Sequence, residues 1–186
     1  MIGSANQDFS LTVHIGKGTL EEIVERSTRD SPRETCGLLL GRRDGQVILV
    51  RASVPARNVS PEPNGRYEID PHIVLRQLAS DVHAEADCMK PRLIGFYHSH
   101  PRGSVEPSDQ DHAEAWPDML NLIVGSQENQ NRWTFFWHDR EILYATVVDR
   151  RAIEGPALTR FSQGSTITLH RSTLRPGWGT AELKSK

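Results

Sequence analysis

The order of apolar and polar positions along the chain predicts a domain that mixes strands with helices. Residues 9–15 alternate between apolar and polar side chains, as a half-buried strand does, whereas the apolar positions of 20–30 recur at helical spacing. The same reasoning extends over the first 148 residues. It predicts strands over 36–41, 46–54, 66–69, 93–97, 120–124, 133–137 and 142–148, and helices that start at Asp70 and Ser108. Strands and helices in this arrangement favour a mixed α/β domain in which helices flank one sheet.

Strand patterning stops at Asp149, and charge changes at the same place. Residues 1–148 carry 15 basic and 21 acidic side chains, whereas residues 149–186 carry 7 basic and 3 acidic ones. Gly, Pro and Ser turns dominate the second part. We therefore expect one domain over 1–148 and a basic C-terminal extension over 149–186 that is partly ordered at best. The apolar alternation of 166–169 could still pair with a sheet, and a basic tail that binds a partner is the alternative.

Composition excludes several function classes. A chain of 186 residues fits one domain, and a formal charge of −2 gives no support for nucleic-acid binding. No apolar run approaches the roughly 20 residues that cross a bilayer, and no signal peptide is visible at the N-terminus. The two cysteines, Cys36 and Cys88, make no disulfide framework. We therefore expect a cytoplasmic protein with neither a nucleic-acid nor a membrane partner, whose oligomeric state the sequence does not set.

A set of candidate metal ligands follows the predicted central strand. His98 and His100 are two residues apart, so on a strand both side chains point to the same face and can hold one ion. Ser108 begins a helix and can cap it, and Asp111 lies one turn further, where it can present a carboxylate. Two imidazoles and one carboxylate leave the fourth position of a tetrahedral zinc site open for water, which is typical of a catalytic site.

Hydrolysis at such a site also needs a group that moves protons without binding the metal. Glu34 lies just before the predicted buried strand over 36–41, and a carboxylate there could take a proton from water and pass it to a leaving amine. Taken alone, Glu34 is more typical of a solvated loop carboxylate, because Glu is rarely buried. A lone His-x-His pair is likewise common by chance. The Ser-x-x-Asp at the start of the following helix strengthens the interpretation of the pair as a metal site.

Together these residues resemble the signature of the JAMM, or MPN+, metalloprotease family. That signature has an upstream Glu, then His-[Ser/Thr]-His-Pro, a six-residue spacer and Ser-x-x-Asp. Here Glu34 and the segments 98–101 and 108–111 fill every position at the expected spacing. Pro-x-Glu-x-Cys-Gly at 32–37 and Tyr-Glu-Ile-Asp-Pro at 67–71 are similar to the compact prokaryotic branch. The resemblance covers roughly residues 9–148.

The resemblance implies a single domain of cytidine-deaminase-like (JAMM/MPN) α/β fold, with a curved mixed sheet flanked by helices. It implies that His98, His100 and Asp111 hold one Zn²⁺ per chain and that Glu34 is the general acid/base. It implies that Ser108 stabilises the oxyanion or the water, a role that competes with helix capping or accompanies it. The chemistry implied is that of a deubiquitinase-like hydrolase, which cleaves peptide or isopeptide bonds at the C-terminus of ubiquitin-like or sulfur-carrier proteins.

The family resemblance indicates the substrate less firmly than it indicates the chemistry. The predicted loops over 55–65 and 126–131 are short, so little surface for a polyubiquitin chain is apparent. A small carrier with a Gly-Gly end fits better, because an extended tail can add a strand to a sheet edge and glycines pass a narrow site. Sulfur-carrier processing, ubiquitin-like conjugation and phage-related or defence functions all stay open. So do a non-catalytic MPN-type scaffold, which is expected to lose a ligand, and a metal-binding protein without hydrolase activity.

Overall fold

One mixed sheet of nine strands organises the described part of the chain. The computed structural model describes residues 10–83, 90–102, 105–127, 130–139, 142–149, 164–170 and 179–180. The strands are β1 (Ser10–Gly16), β2 (Cys36–Asp44), β3 (Val47–Ala56), β4 (Arg92–His100), β5 (Met119–Gln127), β6 (Gln130–Asp139), β7 (Ile142–Asp149), β8 (Gly164–His170) and β9 (Gly179–Thr180). The helices are α1 (Lys17–Asp30), α2 (Pro71–His83) and α3 (Asp109–Glu114). The predicted α/β class is confirmed.

The strand order places the end of β4 in the middle of the sheet. The order is β8-β1-β3-β2-β4-β5-β6-β7-β9. The pairs β1–β3, β4–β5 and β7–β9 are parallel, whereas the other neighbours are antiparallel. Because β4 and β5 run side by side in the same direction, the chain must cross back between them. α3 lies in that connection.

The two faces of the sheet pack against different elements, because successive side chains of a strand point to opposite faces. The face covered by α1 holds the largest apolar cluster, made of Leu11, Val13, Ile15, Leu20, Ile23, Leu39, Ile48, Val50, Ile94, Tyr97, Leu120, Leu122, Val124, Trp133, Phe135 and Trp137. The opposite face holds two smaller clusters, of which the first includes Val74 of α2. Their buried members are Leu38, Val74, Leu93 and Phe96 in the first, and Val105, Ile123 and Phe136 in the second.

The helices begin and end where local sequence signals predict. α1 ends at Asp30, two residues before Pro32, which cannot continue a helix. Asp70 caps α2, since its Oδ1 accepts a hydrogen bond of 2.9 Å from the backbone N–H of His72. None of the helices in the described ranges has the length and apolar character that a bilayer span requires.

Gly95 allows β4 and β5 to approach closely. A Cβ placed at this position would lie 2.0 Å from the carbonyl oxygen of Leu120, so any other residue would push the strands apart. The register between β2 and β4 also shifts beside it, between Leu39 and Leu40. The strand that carries the two histidines is therefore irregular near its middle and regular at its end.

The predicted strand over 66–69 is wrong, whereas the other strands predicted before Asp149 are confirmed with shifted ends. In place of a strand there is a single bridge, between Asn58 and Ile69. The Asn58 side chain bonds to the carbonyl oxygen of Arg66 and the backbone N–H of Glu68. The Asn58 side chain thus forms hydrogen bonds with backbone groups that a neighbouring strand would otherwise have bonded.

The C-terminal extension contributes to the sheet. β8 pairs antiparallel with β1, so that Thr166 lies opposite His14 and Leu169 opposite Leu11. The sheet pairing that the apolar alternation of 166–169 left possible is therefore present. Residues 150–163, 171–178 and 181–186 lie outside the described residues, and the domain boundary at residue 148, the partial order of the extension and its alternative as a partner-binding tail stay predictions.

Candidate metal centre

The end of β4 presents two imidazoles on one face of the sheet. The Nε2 atoms of His98 and His100 are 3.0 Å apart. Ser99, between them, points to the other face, and its Oγ accepts hydrogen bonds from the backbone N–H of Thr35 at 2.9 Å and from the Thr35 hydroxyl at 3.1 Å. The strand period therefore places the imidazoles as predicted, and Ser99 attaches the segment before β2 to β4.

Asp111 reaches the imidazoles from the first turn of α3. Ser108 caps this helix in a capping box, since its Oγ accepts a 3.1 Å bond from the Asp111 N–H. The backbone N–H and the hydroxyl of Ser108 each donate a 2.7 Å bond to Asp111 Oδ2. The carboxylate is thereby held with Oδ1 3.2 Å from His98 Nε2 and Oδ2 3.5 Å from His100 Nε2. The predicted cap is confirmed.

The chemistry and spacing of these side chains fit a divalent metal ion. The ligand atoms of His98, His100 and Asp111 all lie within 4.8 Å of one another. Ligands about 2.0–2.2 Å from zinc in a tetrahedral arrangement lie roughly 3.3–3.6 Å apart, close to the separations observed here. Two imidazole nitrogens and one carboxylate oxygen form a donor set of catalytic zinc sites.

The protonation states also suit a metal. Burial lowers the pKa of His98, although its hydrogen bond and proximity to Asp111 act in the other direction. Burial alone would raise the pKa of Asp111, but hydrogen bonds from His100, His98 and Ser108 hold it well below its usual range. A neutral imidazole beside an ionised carboxylate is the state in which both bind metal.

Glu34 enters the site from the segment between α1 and β2. The residue is only 8% exposed, so the alternative of a solvated loop carboxylate is wrong. Its backbone N–H donates a 2.7 Å bond to the carbonyl oxygen of Pro63. Burial raises the pKa of Glu34 to about 7, with His100 lowering it and Asp111 raising it further. A carboxyl group that titrates near neutrality can both accept and release a proton.

Tyr67 is a part of the site to which the sequence assigned no role. Its ring stacks on the imidazole of His98, with 4.2 Å between the ring centroids and 16° between the planes. Burial raises the pKa of the phenol, so it stays neutral at physiological pH. The signal available in the sequence was its position in the Tyr-Glu-Ile-Asp-Pro segment, but the stack depends on how the chain returns after β3.

Apart from the buried His98, these site residues line one cleft of about 460 Å³. Glu34, His100 and Asp111 are among its lining residues, and an ion pair of 3.1 Å between Arg66 and Glu114 lies along it. The other lining residues are Asn64, Gly65, Tyr67, Pro101, Arg102, Glu106, Ser108 and Gln110. Most of the lining residues carry polar or charged side chains, which can form hydrogen bonds with a peptide backbone.

Comparison with known proteins agrees with this fold. Residues 16–139 match the family described as prokaryotic homologs of the JAB domain. A desampylase of Haloferax volcanii is 34% identical over 129 residues, which cover 68% of this chain and 88% of the relative. A protein of Thermus thermophilus described as a probable TtuB-protein conjugate cleaving protease is 35% identical over 116 residues, or 62% of this chain and 72% of the relative.

A solved structure is similar over most of the chain. The solution structure of a protein from Desulfitobacterium hafniense matches with a TM-score of 0.58 and 25% identity. The match covers 74% of this chain and 89% of that protein.

Proposed function

Since the chain belongs to the family of prokaryotic JAB-domain homologues, we propose that it is a zinc-dependent peptidase or isopeptidase. Its substrate in this proposal is a ubiquitin-like or sulfur-carrier protein, cut after the C-terminal glycine. The observation that carries the proposal is a buried Glu34 in one cleft with His100 and Asp111. A non-catalytic scaffold is expected to lose a ligand, and here the whole set is present.

His98, His100 and Asp111 hold one Zn²⁺ per chain in this proposal. When bound, zinc supplies a Lewis acid that polarises a carbonyl and lowers the pKa of water to roughly 7. The two hydrogen bonds from Ser108 orient the Asp111 carboxylate toward the imidazoles. Such outer contacts set the direction of a ligand and the strength with which it binds.

Glu34 is the group that moves the proton. Water adds to the carbonyl carbon of the terminal glycine, Glu34 takes a proton from that water, and the same carboxyl delivers it to the nitrogen as the C–N bond breaks. A pKa of about 7, caused first by burial, allows both halves of this transfer at neutral pH. Glu34 is therefore the general acid/base of the proposal.

Ser108 has a second role besides capping. Its hydroxyl lines the cleft, and we assign it to stabilise the carbonyl oxygen of the substrate as negative charge develops there. The hydroxyl donates a hydrogen bond to Asp111 Oδ2, and in this proposal a rotation about the Cβ–Oγ bond directs its proton to the substrate oxygen instead.

The names of two relatives support the substrate class. One is a desampylase, and the other is described as cleaving TtuB-protein conjugates. We extend the conjugate of a ubiquitin-like protein to this chain, with a Gly-Gly end because a residue without a Cβ brings its carbonyl to a confined site most easily. We place the reaction in the cytoplasm, where a free thiol such as that of Cys36 stays reduced.

Fusions of a ubiquitin-like carrier to a reporter peptide test the proposal. The zinc-loaded protein should cut a Gly-Gly junction directly after the last glycine, and mass spectrometry of the products locates the bond. A Gly-Val junction should stay intact, because the added side chain keeps the carbonyl from the site. Glu34→Gln serves as the matched inactive control. Equal cutting at both junctions, or cutting inside the folded carrier, would contradict the proposal.

A further inference from the structure

A buried asparagine outside the family signature connects two parts of the site. Asn58 follows β3 and is 9% exposed. Its Nδ2 donates to the carbonyl oxygens of Glu34 at 2.9 Å and Arg66 at 3.1 Å. Its Oδ1 accepts from the backbone N–H groups of Ser60 at 3.0 Å and Glu68 at 3.1 Å. An asparagine amide offers two donors and two acceptor positions, so all four are used within the chain.

Three of these four bonds hold the backbone at or beside two residues of the site, Glu34 and Tyr67. Two of them hold the residues on either side of Tyr67, whose ring stacks on His98. A third holds the backbone of Glu34 itself. We propose that Asn58 is a positioning residue, which sets the Glu34 carboxyl and the Tyr67 ring relative to each other and to the metal ligands. This inference rests on the proposed function.

Glu34 has supports on two sides, and Asn58 belongs to only one of them. On the β4 side, Ser99 holds the neighbouring Thr35 by three hydrogen bonds, two to its Oγ and one from its backbone N–H. On the other side, Asn58 and the carbonyl oxygen of Pro63 hold the backbone of Glu34. When Asn58 is lost, Glu34 therefore stays attached to β4. Its support on the other side is weakened, so its carboxyl group is displaced. A misplacement of about 1 Å costs on the order of 100-fold in rate.

Two variants separate the donor half of the amide from the acceptor half. Asn58→Ala removes all four bonds. Asn58→Asp keeps an oxygen that accepts from Ser60 and Glu68, but it turns a second oxygen toward two carbonyl oxygens, which repel it. The matched control is Asn121→Ala. Asn121 is also buried, at 5% exposure, and its Nδ2 donates a 3.2 Å bond to the carbonyl oxygen of Met119.

Kinetics distinguish positioning from general damage to the fold. Both Asn58 variants should lose roughly 10–100-fold in kcat, the usual cost of an outer contact, with little change in KM. Zinc content and the kcat of Asn121→Ala should stay at the wild-type level. In a Glu34→Gln background, Asn58→Ala should cost clearly less further kcat than it does in the wild type, because part of its effect passes through Glu34. A full additional loss in that background would overturn the proposal.

Hydrogen exchange tests the same idea without substrate. The Glu34 backbone N–H should exchange at least about tenfold faster in both Asn58 variants, because local opening becomes easier. The Glu68 N–H should accelerate in Asn58→Ala and stay protected in Asn58→Asp. An unchanged Glu34 rate in both variants would overturn the proposal whatever the substrate. Accelerated exchange in a protein that cuts no Gly-Gly fusion would instead overturn the proposed function and support the placement of Glu34 by Asn58.

Discussion

Tyr97 and His98 are neighbours in β4, yet they lie on opposite faces of the sheet that have different tasks. Tyr97 packs into the apolar cluster under α1, whereas His98 faces Asp111 at 3.2 Å. Apolar burial is non-directional and tolerates exchanges of similar volume. The candidate metal centre on the His98 face depends instead on separations of a few ångströms between named atoms. Substitutions on the two faces should therefore have opposite signatures, one in stability and the other in activity.

The largest effect should follow removal of both imidazoles. The double variant His98→Ala, His100→Ala leaves one ligand, so it should lose both metal and hydrolysis. Wild-type protein should carry about one equivalent of zinc per chain, as mass spectrometry of metal content can measure. The thermal unfolding transition of the metal-free proteins should persist, because the apolar face is untouched. Full zinc occupancy in the double variant would contradict the assignment of the ligands.

Glu34→Gln should separate proton transfer from metal binding. The amide keeps the size of the carboxyl but takes up no proton, so turnover should fall roughly 10²–10⁴-fold, the range for general acid–base catalysis. Zinc should remain at the wild-type level. Near-normal turnover would remove Glu34 from the mechanism, and loss of zinc would make it a ligand or a structural support.

The same variant has a stability signature with a defined sign. Burial raises the pKa of Glu34 from 4.5 to about 7, so the folded state binds this proton more tightly than the unfolded state does. Folding therefore loses stability as the pH rises from 4.5 through 7. Metal-free Glu34→Gln should be more stable than metal-free wild type at pH 8, and the difference should shrink toward pH 4.5. Urea unfolding at the two pH values measures it.

Replacing Tyr67 should have an intermediate effect. Tyr67→Leu removes the ring that stacks on His98, and loss of such an outer contact costs roughly 10–100-fold in metal affinity or activity. Tyr67→Phe keeps the stack and should stay near the wild-type level. Zinc affinity and kcat/KM, measured together, check this. An equal loss in both variants would assign the role to the hydroxyl and not to the ring.

The smallest effect on turnover should come from the apolar face. Leu122 is fully buried and lies beside Tyr97, opposite it in the β4–β5 pairing. Leu122→Ala should cost about 2–5 kcal/mol of unfolding free energy. Turnover per folded molecule should stay unchanged below the unfolding transition. A large loss of turnover in folded protein would mean that the two faces are coupled through β4 and β5.

The sequence by itself determined the features that depend on local geometry. A strand puts His98 and His100 on one face through its period of two, and Ser108 caps α3 because a hydroxyl reaches the N–H three residues on. The same cap fixes the position of Asp111, since its carboxylate accepts a hydrogen bond from the Ser108 N–H. These relations span a few residues, so spacing alone predicts them, and the same spacing supports membership of the family.

Only the tertiary structure decided which distant groups meet at this end of β4. Glu34 is buried because the chain after β3 returns over it, and Asn58 and Tyr67 belong to that return. The predicted strand over 66–69 fails for the same reason, since the Asn58 side chain and not a neighbouring strand bonds to the Arg66 carbonyl oxygen and the Glu68 N–H. β8 pairs with β1 across about 150 residues of sequence. Such contacts depend on the balance of burial, hydrogen bonding and chain entropy over the whole domain, which no local spacing encodes.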